Sequence, residues 1–202
     1  MMTPFQRLDA CAAPLALPQC DTDQIVPARF LSRKRSEGFG EQLFHDLRFD
    51  AQGQERPAFV LNQAPYRDAR ILVADENFGC GSSRESAVWA LIDYGIAAVI
   101  APSFGDIFFN NSTKTGLLPV VLPAERVHAL RALCEASAGC HLRIDLADQL
   151  VHSDASPPDR FEIDPLRKRL LLAGMDEIAY TLTHAPALLP FEARYDAAHA
   201  WL

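Results

Sequence analysis

No stretch of the 202-residue sequence approaches the roughly 18 consecutive apolar residues of a bilayer-crossing helix, which excludes a transmembrane helix. Basic residues are in the minority, 19 Lys and Arg against 26 Asp and Glu for a net charge of −7. A nucleic-acid partner is excluded on that balance, because such faces carry a basic excess. Cysteine is scarce and poorly spaced for metal work. The thiols at 11, 20, 80, 134 and 140 are odd in number and include no C-x-x-C pair. They imply neither a disulfide framework nor a zinc or iron–sulfur site, and read as free thiols in a reducing cytoplasm. His45, His128, His141, His152 and His184 are scattered without metal-ligand spacing, so no metal site is expected in this chain. No internal repeat stands out. Residues 8–18 are apolar, yet Asp9 opens the run, Pro14 and Pro18 interrupt it, and no small-residue cleavage pattern precedes Cys20, so an export signal is not expected.

What is present is an ordinary globular composition, 49% hydrophobic and 22% charged. At this length one domain spanning residues 1–202 is expected, burying about 70% of the unfolded chain's surface. The first third is rich in loops. Asp21, Thr22 and Asp23 form a turn-like cluster, Pro27 is placed to open a short helix through Leu31, and residues 32–42 read as a polar mobile loop. The middle alternates. Short apolar runs at 70–75, 97–102 and 117–123 predict buried strands, and helical spacing predicts helices at 84–95, 103–116 and 125–139. Strands alternating with helices indicate parallel β-α units. Farther on, 141–153 and 159–164 alternate with period two across a turn-rich 154–159 and predict an antiparallel hairpin; short helices follow to Leu202. The fold class is therefore α/β, with parallel β-α units, an added antiparallel hairpin and C-terminal helices.

One stretch carries chemistry: ADENFGCGSSRES, residues 74–86, where a strand gives way to a helix. Ligands of open α/β sheets bind at such junctions. Gly79 and Gly81 allow a tight turn and close approach of a ligand. Ser82 and Ser83 precede a helix start, whose positive dipole end favours anions, and Arg84 adds a planar cation suited to carboxylate or phosphate. Familiar alternatives fail. A P-loop needs lysine after its last glycine, a dinucleotide fingerprint needs glycine at Arg84, and no G-x-S-x-G elbow occurs. A bland reading also exists, since Ser82 and Glu85 match a capping box, S-x-x-E, which needs no function. Serine acts as a base only where its alkoxide is stabilised, and a helix N-terminus, backbone donors and an arginine are groups that do so.

FGCGSSRE followed by APSFGDIFFNNSTKTGLLP resembles the aconitase superfamily, and within it the family of small subunits of bacterial 3-isopropylmalate dehydratase. The likeness extends to DTDQIVPARFL (21–31), GFGEQLFHDLRF (38–49), FVLN (59–62) and FEIDPLRKRLLLAGMDEIAYTL (161–182). The resemblance implies a swivelling β/β/α domain that closes over a separate large subunit. It implies a 4Fe-4S cluster in that large subunit and no cofactor in this chain. The implied reaction is dehydration and rehydration of a small dicarboxylate, interconverting 2- and 3-isopropylmalate through isopropylmaleate in leucine biosynthesis. Carried over by position, Ser82 is the catalytic base, Ser83 and Arg84 hold substrate carboxylate, and Asp23 lies near the same pocket. Two positions depart from a plain match. The family pattern GSSREH has Ser86 here in place of histidine, and residues 31–40 occupy the family's substrate-selecting loop. There Arg33, Lys34 and Arg35 are either a second carboxylate clamp or a solvated charge run. Two other outcomes stay open: a related dehydratase acting on another malate-type diacid or homoaconitate, and a non-catalytic anion-binding relative.

Overall fold

Residues 2–201 are described by a computed structural model. Strand β1 (Arg7–Pro14) overlaps the start of the apolar 8–18 stretch, which the sequence pattern does not mark as a strand. It is the strand on which the sheet turns, pairing parallel with β2 (Ile71–Val73) on one side and antiparallel with β5 (His141–Asp145) on the other. Beyond β2 the parallel half continues through β3 (Ala98–Ala101) to β4 (Leu118–Val121). Beyond β5 the antiparallel half continues through β6 (Leu150–Ser153) to β7 (Ser156–Arg160). The result is one seven-stranded mixed sheet in the order β4-β3-β2-β1-β5-β6-β7. The expected hairpin is thus a three-stranded meander whose first hairpin is 141–153 itself. The proline-bearing segment expected as a turn supplies β7. Prolines remove ladder donors and belong on edges, which is where Pro119 of β4 and Pro157 and Pro158 of β7 lie.

Strict alternation along the parallel strands builds a core on each face of the sheet. Ala13, Leu72, Val99 and Ala101 point to one face, where α3 (Glu85–Tyr94) and α4 (Asp106–Thr115) supply Val88, Leu91 and Phe108. Ala12, Ile71, Val73, Ala98 and Ile100 point to the other, covered by Val127 and Leu130 of α5 (Ala124–Ala136) and Leu171 of α6 (Pro165–Ala173). The first third contributes two single-turn helices, α1 (Thr22–Ile25) and α2 (His45–Arg48); Ile25 of α1 and the buried Phe39, Leu43 and Phe44 of the segment leading into α2 close the first core. After α6, capped by Asp164 and ended at Gly174, come α7 (Glu177–Leu182) and α8 (Ala185–Ala198), neither with a buried residue. No described helix is long and apolar enough to cross a membrane.

Candidate active site at the carboxyl ends of the parallel strands

Beyond Val73 the chain runs across the carboxyl ends of β1, β2 and β3 before α3 begins. Backbone hydrogen bonds hold this loop on two sides. On one, Gln19 N donates to Glu76 O (3.0 Å), Gly79 N to Cys20 O (2.7 Å) and Thr22 N to Cys80 O (2.9 Å). On the other, Phe78 N donates to Ser103 O (3.1 Å), Gly105 N to Phe78 O (2.9 Å) and Asn77 N to Ser103 Oγ (2.9 Å). Gly79 is required twice over. Its φ of +75° is strained for any L side chain, and a Cβ there would lie 2.2 Å from Cγ of Phe108. Phe108 in turn packs edge-on to Phe78 at 5.3 Å, so the glycine is the gap through which α4 supports the loop.

This frame brings the four candidate residues to one surface. Ser82 and Ser83 are exposed, and no other described group hydrogen-bonds their hydroxyls. Their backbone is fixed instead: the buried Thr22 donates its Oγ1 hydrogen to Ser82 O at 2.9 Å. Arg84 and Asp23, 61 residues apart in sequence, form an ion pair at 2.5 Å. The guanidinium side chain is 14% exposed and the carboxylate 52% exposed, so the cation is held low in the surface with its partner at the rim. Asp23 owes its position to α1, where Asp21 caps the helix by accepting from Gln24 N (2.8 Å) while Gln24 Oε1 accepts from Asp21 N (3.1 Å).

An aconitase C-terminal domain model matches residues 2–125. A 3-isopropylmalate dehydratase small subunit of Gluconacetobacter diazotrophicus is 50% identical over 200 residues, covering 99% of this chain and 97% of that protein. One from Phenylobacterium zucineum is 50% identical over 202 residues, covering 100% and 98%. The chain belongs to the 3-isopropylmalate dehydratase small-subunit family. Its fold accords with this: a crystal structure of 3-isopropylmalate dehydratase (leuD) from Methanocaldococcus jannaschii superposes with a TM-score of 0.64 at 27% identity. That match covers 93% of this chain and 99% of that one.

Within this small-subunit fold the S-x-x-E capping box is not formed. The N-cap of α3 is Arg84, in extended backbone and without a side-chain cap, and Ser82 stands two residues before it. The serine backbone is anchored to Thr22 rather than to its own helix, which leaves the hydroxyl uncommitted. The capping box that does form, at Asp21 and Gln24, lies in the cluster read as a turn. Thr22, which nothing but its place beside Asp23 in DTDQI sets apart in the sequence, is the residue that anchors the Ser82 backbone. Cys80 behaves as a packing residue: burial and then the nearby Asp21 carboxylate push its thiol up, and Sγ donates to Gln19 O at 3.4 Å. The 32–42 segment, expected as a polar mobile loop, contains local turns and ion pairs. A 3₁₀ turn spans Arg35–Glu37, Arg35 pairs with Asp93 at 2.5 Å and lies over Trp89 at 5.4 Å, and Arg33 pairs with Glu37 at 3.6 Å. Among the described residues no three metal-ligating side chains converge.

Proposed function

We propose that this chain is the small subunit of a 3-isopropylmalate dehydratase, a hydro-lyase of leucine biosynthesis that acts in the cytoplasm on a small dicarboxylate together with a large subunit. The observation that carries the reading is the Asp23–Arg84 pair beside the exposed, uncommitted Ser82 and Ser83 at the carboxyl ends of the parallel strands. Ser82 is the base. As the alkoxide it takes the proton from the carbon next to a substrate carboxylate and becomes a hydroxyl, while the C–O bond on the adjacent carbon breaks and the hydroxyl leaves. Re-addition of water with the two carbons exchanged gives the isomer.

The C–H bond is a weak acid, so both partners to the transfer need help. The positive end of α3 lies just beyond Arg84 and lowers the cost of an anion there. Ser83 and Arg84 hold the carboxylate that gains charge as the proton departs, and charge-assisted, forked contacts of this kind are the strong ones. Asp23, at the rim, holds the Arg84 fork in place before substrate arrives. Lewis-acid activation of the leaving hydroxyl is what a 4Fe-4S cluster supplies, and we assign that cluster to the large subunit.

Anaerobic mixing of this chain with its reconstituted large subunit, followed by isopropylmaleate formation from 3-isopropylmalate, tests the proposal. Turnover should require both chains and should fall at least 10³-fold, by roughly the loss of a catalytic base, when Ser82→Ala replaces the wild type in an otherwise intact complex. An intact complex that turns over another malate-type diacid or homoaconitate but not isopropylmalate would favour the related-dehydratase reading. Ser86, standing where the family has histidine, is the observation in its favour. A complex that binds diacids without turning any over would leave a non-catalytic anion-binding relative.

A further inference from the structure

The C-terminal arm is the least buried part of the chain. Ile178 is 74% exposed, Leu182 66%, Leu189 64%, Phe191 55% and Trp201 78%, and α8 runs for 14 residues without one buried side chain. On α8, Leu188, Phe191 and Tyr195 fall at helical spacing on one face, and the rings of Phe191 and Tyr195 stack at 6.1 Å. Elsewhere the chain buries most such residues in its two cores, leaving Leu31, Ile107, Val121 and Leu166 part-exposed at 40–47%. With Leu188 and Tyr195 the arm presents seven large apolar side chains. At on the order of 100 Å² each, they offer roughly 700 Å² of surface, close to the ~800 Å² per partner of a standard interface.

We infer that the arm, Glu177 to Trp201, is the docking element for the large subunit, and that it enters an apolar groove rimmed by lysine or arginine. This rests on the small-subunit reading above. Charge decides between that occupant and a second copy. The arm carries Glu192 and Asp196 against Arg194, beside Glu177, which already pairs with Lys114 of the body at 3.1 Å, on a chain of net charge −7. In an antiparallel two-fold pair of arms, the Glu192–Asp196 edge would meet the same edge of its copy. A basic-rimmed groove satisfies those acids instead. The alignments with curated small subunits run over 99–100% of this chain, so the arm belongs to what those subunits share.

The position of the arm gives it a separable role. It leaves from Gly174, which abuts Met2 and Pro4 before the start of β1, whereas the Ser82 loop lies past the far end of β1. The arm therefore holds the complex at one end of the sheet while the catalytic loop engages substrate at the other. Its loss weakens assembly and leaves the chemistry of the assembled enzyme intact.

The full-length Phe191→Glu/Tyr195→Glu variant tests this, with far-UV circular dichroism to confirm that both exposed substitutions leave the fold unchanged. Anaerobically titrated into the large subunit, it should need at least tenfold more protein for half-maximal turnover of 2-isopropylmalate, with kcat at saturation unchanged. Calorimetry should show the same loss of affinity. Glu192→Lys/Asp196→Lys should weaken binding as well. Half-saturation at the wild-type concentration overturns the proposal. So does a wild-type chain that sediments as a dimer which Phe191→Glu/Tyr195→Glu dissociates while its affinity for the large subunit is unchanged. A wild-type complex that forms but does not turn over isopropylmalate sinks the dehydratase reading alone, since the calorimetric comparison still reports on the arm.

Discussion

The hydroxyl of Ser86 is buried in the first turn of α3 and has no hydrogen-bond partner among the described residues, at a position 7% exposed. A buried donor left unpaired costs about 1–3 kcal/mol, and alanine is the better helix former. Ser86→Ala should therefore raise stability by about 1 kcal/mol, read as a higher urea midpoint at unchanged slope; a lower midpoint would mean that the hydroxyl has a partner in solution. Gly79 predicts the opposite sign. Alanine there adds left-handed strain of about 1–2 kcal/mol to an overlap with the Phe108 ring worth about 1–3 kcal/mol more. Gly79→Ala should cost roughly 3 kcal/mol, and urea titration decides that too. At this scale the sequence was readable where chemistry is local: FGCGSSRE announces a turn and a helix start, and both are there. It was mute on the Asp23–Arg84 pair, because nothing within either segment says that two stretches 61 residues apart lie side by side. Only the resemblance put Asp23 at the pocket.

Among elements, β2 to β4 follow from short unbroken apolar runs and α3 to α5 from helical spacing, whereas β1, its run broken by Asp9 and Pro14, follows from neither. Its burial alternates cleanly only over Arg7 to Ala10, then gives way to consecutive buried residues. That is what a strand covered on both faces looks like, and it has no period to detect. β7 was hidden for the opposite reason, since two prolines announce a turn and only an edge position tolerates them. The β1–β5 pairing also carries a titrating contact. Asp145 accepts from the amide of Asp148 and from the Arg7 guanidinium, in that order of weight, and both hold its carboxyl below the usual range. A folded-state pKa below the unfolded one gives stability that is complete above the unfolded value of about 4 and is lost as pH falls through the folded one. Thermal unfolding should therefore move to lower temperature below about pH 4. Asp145→Asn should lower the melting temperature at pH 7 and make the acid limb shallower. It should not abolish the limb, because Asp46, held at about 2 chiefly by Arg29, shifts in the same direction.

Over the whole molecule, the two cores are not independent, because they are the opposite faces of the same strands. Val99 belongs to one core and its neighbours Ala98 and Ile100 to the other, so neither core can open without unpairing β3. The body up to Gly174 should unfold in one cooperative step, the behaviour of the single domain expected from length. The arm stands outside that unit: with no buried side chain in α7 or α8, its helices rest on local hydrogen bonds and one exposed ion pair to the body, Glu177 with Lys114. Hydrogen exchange separates the two. In the isolated chain the amides of β2 and β3 should exchange only through global unfolding, while those of α7 and α8 exchange through local opening at a small fraction of that free energy. Addition of the large subunit should slow exchange in 177–201 by more than tenfold, because docking replaces water around Phe191, Tyr195 and Trp201 with protein. Arm amides as protected as those of β3 in the isolated chain would contradict this division. They would mean that the apolar face already has a partner within its own chain or in a second copy. Addition of the Phe191→Glu/Tyr195→Glu variant to the large subunit should leave the arm's exchange as fast as in isolation while the strands stay protected, which ties the protection to the apolar face rather than to the presence of a second protein.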